Sequence, residues 1–137
     1  MIFLIGVDHQ IQQNVWDGNK AGREDLINYL INQSKLLKIT LIAEEFSEQA
    51  LGSGTQITAQ EAAKILGIEH RLCDPDLKER ITLNIKTSAD RENIWLERIK
   101  DKLGSEMIFI CGSDHVLSFE SLLKKNKIGV KILKETF

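Results

Sequence analysis

The sequence predicts an α/β fold, a small three-layer α/β/α sandwich with about five mostly parallel strands. Short apolar runs alternate with segments whose apolar residues recur at helical spacing, which is the order typical of parallel sheets. The runs are continuously apolar, as expected for strands that are covered on both faces. The predicted strands are Ile2–Ile5, Ile39–Ala43, Ile68–Cys73, Met107–Cys111 and Gly129–Leu133.

Helical segments separate the predicted strands. Leucine and isoleucine recur every three or four residues between Arg23 and Leu37, after a polar loop from Gln10 to Gly22. A break at Gly52-Ser53-Gly54 precedes Thr58–Glu61, whose capping-box pattern opens a helix that stops at Gly67. The remaining predicted helices are Lys78–Leu83 after Asp74-Pro75, Ser88–Leu103 before Gly104, and a last one over Val116–Leu123.

The composition is that of an ordinary globular protein, and it excludes several classes of partner. The 137 residues suffice for one domain, residues 1–137, with its own core. The sequence contains a single proline and no low-complexity linker, so it shows no internal domain boundary. The formal net charge is −2 and the basic residues are interleaved with acidic ones, so we expect no nucleic-acid partner. No apolar stretch approaches the roughly 18 residues of a membrane span, and no signal peptide is recognisable, so we expect a cytoplasmic protein without a membrane partner.

One motif occurs twice, near the two ends of the chain. Gly6-Val7-Asp8-His9 and Gly112-Ser113-Asp114-His115 each follow a predicted buried strand. Glycine permits a sharp turn or a close approach of the backbone at these places. Because ligands bind at the carboxyl edge of open α/β sheets, we expect His9 and His115 to converge on one site there.

Acidic residues lie next to both motifs and after the second strand. Two imidazoles together with Glu44 or Glu45 are a donor set for a divalent transition metal that keeps open positions for water or substrate. Asp8 and Asp114 either bind the metal or hold the second nitrogen of the adjoining imidazole, and Asp114 alternatively caps the helix behind it. Neighbouring residues point in different directions, so the sequence does not decide between Glu44 and Glu45.

Two further side chains are candidates for the site, Arg91 and His70. Arg91 shares a helix face with Trp95 and Ile99, so it points toward the core and needs an anionic partner. That partner is a site carboxylate or a developing oxyanion, or Arg91 forms a structural salt bridge. His70, inside the third predicted strand, is expected to be an ordinary strand residue rather than a ligand.

The order of these motifs resembles the TraB/PrgY, Tiki, ChaN-like and erythromycin-esterase-like superfamily. In that group a first Gly-x-x-His opens the domain, an acidic residue follows the second strand, and an arginine precedes the last Gly-x-x-His. Here the corresponding segments are Gly6–His9, Glu44-Glu45, Arg91 within Asp90–Asn93, and Gly112–His115. The resemblance implies a metal-dependent hydrolase scaffold, with peptidase or esterase activity in some branches. This chain would be a minimal member, because it lacks the large helical insertions of typical members.

We therefore expect a metal-dependent hydrolase of ester or amide bonds, acting on a small-molecule or peptide substrate. His9, His115 and Glu44 (or Glu45) would hold Mn²⁺, Co²⁺ or Zn²⁺, which would activate a bound water. The spare glutamate would act as general base and Arg91 would stabilise the oxyanion. The supporting residues of the two motifs are Gly6, Asp8, Gly112 and Asp114.

Three alternatives remain open on the sequence. A metal-free enzyme would use the same histidines and glutamates as an acid/base pair. A non-catalytic module would bind a small anion through Arg91 and the histidines. A degenerate scaffold would serve in protein interaction, and a homo-oligomer is an attractive state because a partner subunit would complete the cleft.

Overall fold

The computed structural model describes residues 1–13, 20–47 and 57–137. These residues form five strands in one sheet of order β3-β2-β4-β1-β5, in which every pairing is parallel. The predicted α/β class with five parallel strands is therefore confirmed. The strands are β1 (Ile2–Val7), β2 (Leu41–Glu44), β3 (Glu69–Leu72), β4 (Met107–Gly112) and β5 (Val130–Lys134).

Helices cover both faces of this sheet. The described helices are α1 (Lys20–Leu37), α2 (Thr58–Leu66), α3 (Leu77–Thr82), α4 (Ser88–Ile99) and α5 (Val116–Lys125). Buried residues of α1 and α2 pack on one face, and those of α4 and α5 pack on the other. The three-layer α/β/α arrangement follows from these two contacts. None of the described helices is long and apolar enough to cross a membrane.

Alternation along the central strands supplies both halves of the core. In β1, Ile2 and Leu4 pack with Trp95 and the rest of the α4/α5 layer, whereas Phe3 and Ile5 pack with the α1/α2 layer. Every residue of β1 and of β4 is buried. Both faces of these strands are covered, which explains why their sequences are continuously apolar.

Several helix ends, and the cap of one helix, differ from the prediction. Helix α1 begins at Lys20, inside the predicted loop, whose residues 14–19 lie outside the described part, as does the break at Gly52–Gly54. The capping box predicted at Thr58 is wrong, because the Thr58 hydroxyl donates to the carbonyl oxygen of Ile11 at 2.5 Å and the N-cap is Ile57. Helix α4 ends at Ile99, and a single 3₁₀ turn continues to Lys102.

Gly6 lies where the end of the chain crosses β1. The backbone N–H of Phe137 donates to the Gly6 carbonyl oxygen at 2.8 Å. A Cβ atom on Gly6 would lie 1.9 Å from the backbone oxygen of Glu135 and 2.7 Å from Cγ2 of Val116. The first glycine of the repeated motif therefore serves close packing of two backbone segments.

We predict that Gly6→Ala lowers the free energy of unfolding by about 1–3 kcal/mol, because the obstacle is the backbone oxygen of Glu135, which cannot move aside as a flexible side chain can. Gly129→Ala is the matched control, since its Cβ would meet only the flexible Met1 side chain, at 3.5 Å. Denaturant-induced unfolding of both variants measures the difference. Equal stabilities of the two variants would contradict the assignment of Gly6 to backbone packing.

Candidate functional site

The two adjacent glutamates at the end of β2 lie on opposite sides of the sheet. Ile42 belongs to the α1/α2 half of the core and Ala43 to the α4/α5 half. Continuing this alternation, Glu44 follows the face of Ile42 and Glu45 follows the face of Ala43. Both are buried, at 0% and 5% exposure respectively. The sequence did not decide which of Glu44 and Glu45 faces the site. In the structure each glutamate lies on its own side of the sheet, in its own polar environment.

Glu45 is held by an amide and a guanidinium. Its Oε1 accepts the backbone N–H of Gly112 at 2.8 Å, and its Oε2 forms an ion pair with Nη2 of Arg91. The backbone N–H of Glu45 donates to Ile110 of β4 at 2.8 Å, which prolongs the sheet pairing by one residue. The carboxylate is therefore both buried and satisfied.

Arg91 is oriented by a second carboxylate. Its Nε donates to Oδ1 of Asp74 at 3.0 Å, and the same oxygen accepts the indole N–H of Trp95 at 2.8 Å. The other oxygen of Asp74 accepts from Arg80 at 2.8 Å. Burial by itself lowers the pKa of Arg91, but the hydrogen bond to Asp74 and the charge of Glu45 outweigh it and raise that pKa. Arg91 is thus a fixed positive charge beside Glu45.

His115 is anchored by a buried carboxylate from α4. Its Nδ1 lies 2.8 Å from Oε2 of Glu92, a residue that is 3% exposed, and the Ser118 hydroxyl donates to the same oxygen at 2.6 Å. The imidazole packs edge-on against Trp95 with ring centroids 4.9 Å apart. Its Nε2 lies 3.6 Å from Oε2 of Glu45. The ring therefore has one nitrogen tied to the protein and the other turned toward Glu45.

His9 approaches the same carboxylate from the solvent side. Its Nε2 lies 3.9 Å from Oε1 of Glu45, and its Nδ1 lies 2.5 Å from Oε1 of Gln12. The side chain is 58% exposed. A Cβ atom on Gly112 would lie 2.7 Å from His9 Nε2, so the second motif glycine leaves room for the ring of the first motif. We call the group formed by His9, Glu45, Arg91, Glu92 and His115 the Glu45 site.

Glu44 lies outside the Glu45 site. Its Oε1 accepts the side-chain amide of Gln12 at 3.2 Å, and its Oε2 pairs with Nε2 of His70 on β3. None of the contacts within the described ranges joins Glu44 to His9 or His115, although the sequence predicted that Glu44 or Glu45 would bind a metal with both. His70, predicted to be an ordinary strand residue, has a side chain that is only 9% exposed and pairs with a buried charge.

The two motif aspartates do not hold the imidazoles. Asp8 accepts the backbone N–H of Gln10 at 2.9 Å and caps the 3₁₀ turn that contains His9. Asp114 is exposed and does not cap α5, whose N-cap is His115. The Nδ1 atoms of the two histidines instead meet Gln12 and Glu92.

The sequence pattern assigned no functional role to Glu92 of the Glu45 site. It also assigned none to three polar residues outside the site that pair with Glu44, His9 or Arg91: Gln12, His70 and Asp74. A signal existed for Glu92, because it shares the buried face of α4 with Trp95, Leu96 and Ile99, and a buried carboxylate needs a partner. Gln12 carries no such signal, since it follows a turn and its partners are distant in the chain.

The site suits a divalent metal in donor type but not in spacing. No group of three or more His, Cys, Asp or Glu within residues 1–13, 20–47 and 57–137 forms a metal site as arranged. Two ligands that share an ion at about 2.1 Å lie about 3.0–3.4 Å apart, whereas the imidazole nitrogens lie 3.6 and 3.9 Å from Glu45. Both oxygens of Glu45 are also engaged, one by Gly112 and one by Arg91.

The fold and site define an α/β protein with a buried Glu–Arg–His cluster at the carboxyl edge of a parallel sheet. Comparisons of the chain with known protein families, with curated proteins and with solved structures found no match. The resemblance to the TraB/PrgY, Tiki, ChaN-like and erythromycin-esterase-like superfamily stays a prediction that rests on the motifs.

We predict that Gly112→Ala displaces the His9 ring and changes stability less than Gly6→Ala does. The obstacle at Gly112 is a largely exposed side chain that can move, whereas the obstacle at Gly6 is backbone. NMR of the histidine ring carbons checks this, with His115 as the internal reference. Unmoved His9 resonances in the folded variant would contradict the close contact between Gly112 and His9.

Proposed function

We propose that the Glu45 site hydrolyses an ester or amide bond in a small-molecule or peptide substrate, with His115 as general base. The observation that carries the proposal is the pair formed by His115 and the buried carboxylate of Glu92. A carboxylate that accepts the Nδ1 proton leaves the Nε2 lone pair free to accept a proton. That lone pair lies on the side of the ring that faces Oε2 of Glu45, the oxygen that pairs with Arg91.

The proposed reaction begins with proton transfer from water to Nε2 of His115. The water oxygen bonds to the carbonyl carbon, and the carbonyl π electrons move onto its oxygen. When the tetrahedral intermediate collapses, the bond to the leaving oxygen or nitrogen breaks, and His115 returns the proton to the leaving group. Glu92 stabilises the imidazolium that exists between these two transfers.

Arg91 is the proposed donor to the developing oxyanion. Its Nη2 is taken by Glu45 and its Nε by Asp74, while no contact of the described residues occupies Nη1. The side chain is 21% exposed, and the proposal assigns Nη1 to the carbonyl oxygen of the substrate. A guanidinium fixed by two carboxylates is preorganised for this role, because it needs no reorientation during the reaction.

The remaining residues of the site have supporting roles in the proposal. Glu45 orients Arg91 and borders the space between the two imidazoles. His9, at the exposed side, accepts a hydrogen bond from the bound substrate or water through Nε2. Glu44, which was a candidate metal ligand and base, lies on the other side of the sheet and takes no part in the bond-breaking steps.

We predict that His115→Ala lowers kcat/KM by at least about 10²-fold, because a general base typically contributes about 10²–10⁴-fold. The probes are p-nitrophenyl acetate and butyrate for esters and aminoacyl p-nitroanilides for amides. Asp114→Ala is the matched control, since it alters an exposed neighbour in the same motif and is expected to keep full activity. Absence of turnover by the native chain on these probes, or equal turnover in His115→Ala, would count against the proposal.

A metal-dependent form of the same hydrolase is the second candidate. The observation that favours it is that both histidines have Nδ1 held by a side-chain oxygen and Nε2 turned toward Glu45, as is common for metal-binding imidazoles. His9, His115 and Glu45 would then hold Mn²⁺, Co²⁺ or Zn²⁺ after a small contraction of the site. A bound ion would supply an activated water at neutral pH.

For the metal-dependent form we predict about one ion bound per chain, because three protein ligands suffice for one divalent ion. The full chain is incubated separately with Mn²⁺, Co²⁺ and Zn²⁺, desalted and measured by elemental analysis. His9→Ala/His115→Ala should lose the ion, whereas the control Asp114→Ala, which alters an exposed residue of the same motif, should keep it. If the protein retains no ion after chelation and still turns over substrate, the result contradicts the metal-dependent form and supports the metal-free mechanism.

A further inference from the structure

A chain of hydrogen bonds joins the Glu45 site to the opposite side of the sheet. It begins at His70, whose Nε2 pairs with Oε2 of Glu44. It continues from Oε1 of Glu44 to the amide nitrogen of Gln12 at 3.2 Å, and from Oε1 of Gln12 to Nδ1 of His9 at 2.5 Å. We infer that Gln12, Glu44 and His70 are positioning residues, which set the tautomer and the orientation of His9.

The direction of the Gln12 amide follows from its neighbours. An amide NH₂ group only donates hydrogen bonds and an amide oxygen only accepts them. The Gln12 nitrogen lies 3.2 Å from a carboxylate oxygen of Glu44 and 3.5 Å from the backbone oxygen of Glu45. Because both neighbours are acceptors, the nitrogen must face them, and the oxygen is left to face His9.

This direction determines which nitrogen of His9 carries the proton. The Gln12 oxygen accepts but does not donate, so Nδ1 of His9 must be the protonated nitrogen. In the neutral imidazole Nε2 then bears the lone pair, and Nε2 is the atom that faces Glu45 and Gly112. A histidine side chain free in water prefers the other tautomer, so the protein must enforce this one.

Glu44 and His70 keep Gln12 in place. Glu44 is fully buried, and a buried carboxylate must be paired with a cation or with hydrogen-bond donors. His70 lies beside Ile42 in the β2–β3 register, on the same face as Glu44, and supplies a donor from the edge strand. Glu44 therefore remains an acceptor for the side-chain amide of Gln12. Gln12 is itself buried, at 1% exposure.

This series of hydrogen bonds orients His9 but does not conduct protons to it. An amide group does not readily pass a proton from its nitrogen to its oxygen, so the path from His70 is interrupted at Gln12. The two histidines of the Glu45 site thus have the same tautomer by different means. His115 is held by the charged acceptor Glu92, and His9 by the neutral acceptor Gln12.

The test is an NMR measurement of the imidazole tautomers. Long-range ¹H–¹⁵N spectra of the ¹⁵N-labelled full chain at mildly alkaline pH distinguish the Nδ1–H form from the Nε2–H form. His9→Ala and His115→Ala assign the signals. We expect the Nδ1–H form for both histidines in the native chain. A native His9 in the Nε2–H form would overturn the inference by itself, whatever the behaviour of the variants.

Gln12→Leu removes the acceptor at similar volume, so His9 should change to the Nε2–H form while His115 keeps the Nδ1–H form. Glu44→Leu/His70→Leu removes both partners of the buried pair and leaves no unpaired charge. In this variant the Gln12 nitrogen keeps the backbone oxygen of Glu45 as an acceptor, but at the long distance of 3.5 Å. The amide should therefore turn over more readily, and the His9 signals should shift toward an average of the two forms. An unchanged His9 in either folded variant would overturn the inference.

The outcome is independent of hydrolase activity, because the spectra report protonation and not turnover. A chain that hydrolyses none of the ester or amide probes but shows the Nδ1–H form of His9 would refute the proposed function alone. A chain with turnover but with His9 in the Nε2–H form would refute the positioning role alone.

Discussion

The buried negative charge of Glu45 is the constraint on which the arrangement of the site depends. A carboxylate taken out of water costs several kcal/mol unless it is paired and hydrogen-bonded. Arg91 and the Gly112 amide meet this requirement, but the guanidinium itself is partly buried and needs Asp74 as well. Asp74 in turn accepts a hydrogen bond from the indole N–H of Trp95, whose ring lies in the core between α4 and the sheet. Helix α4 is therefore held in position both by these ion pairs and by its packing in the apolar core.

Parallel pairing explains why groups so far apart in the chain meet. The strands β2, β4 and β1 are neighbours and run in the same direction, so their carboxyl ends share one edge. The residues that follow those strands are the two glutamates, the second motif and the first motif. Because side chains alternate between the two faces along a strand, adjacent residues at this edge face opposite helix layers. Glu45 faces α4 and joins His115, whereas Glu44 faces the α1/α2 side and joins His70.

Much of the fold was predictable because it depends on local patterns. The apolar runs, the helical periodicity and the glycines after α2 and α4 determined element type and order. The failure at Thr58 shows the limit of such patterns. A capping box satisfies backbone groups locally, but the hydroxyl of Thr58 finds the Ile11 carbonyl, 47 residues away, so the local rule does not apply.

The sequence by itself determined the α/β class, the gathering of two histidines and two glutamates at one sheet edge, and the need of Arg91 for an anionic partner. Only the tertiary structure decided that Glu45 rather than Glu44 lies between the histidines, and that Glu92 and Gln12 rather than the motif aspartates hold the rings. The physical reason is that the partner of a buried polar group is set by desolvation and by what lies within hydrogen-bond reach in space. Neither quantity is a property of spacing along the chain.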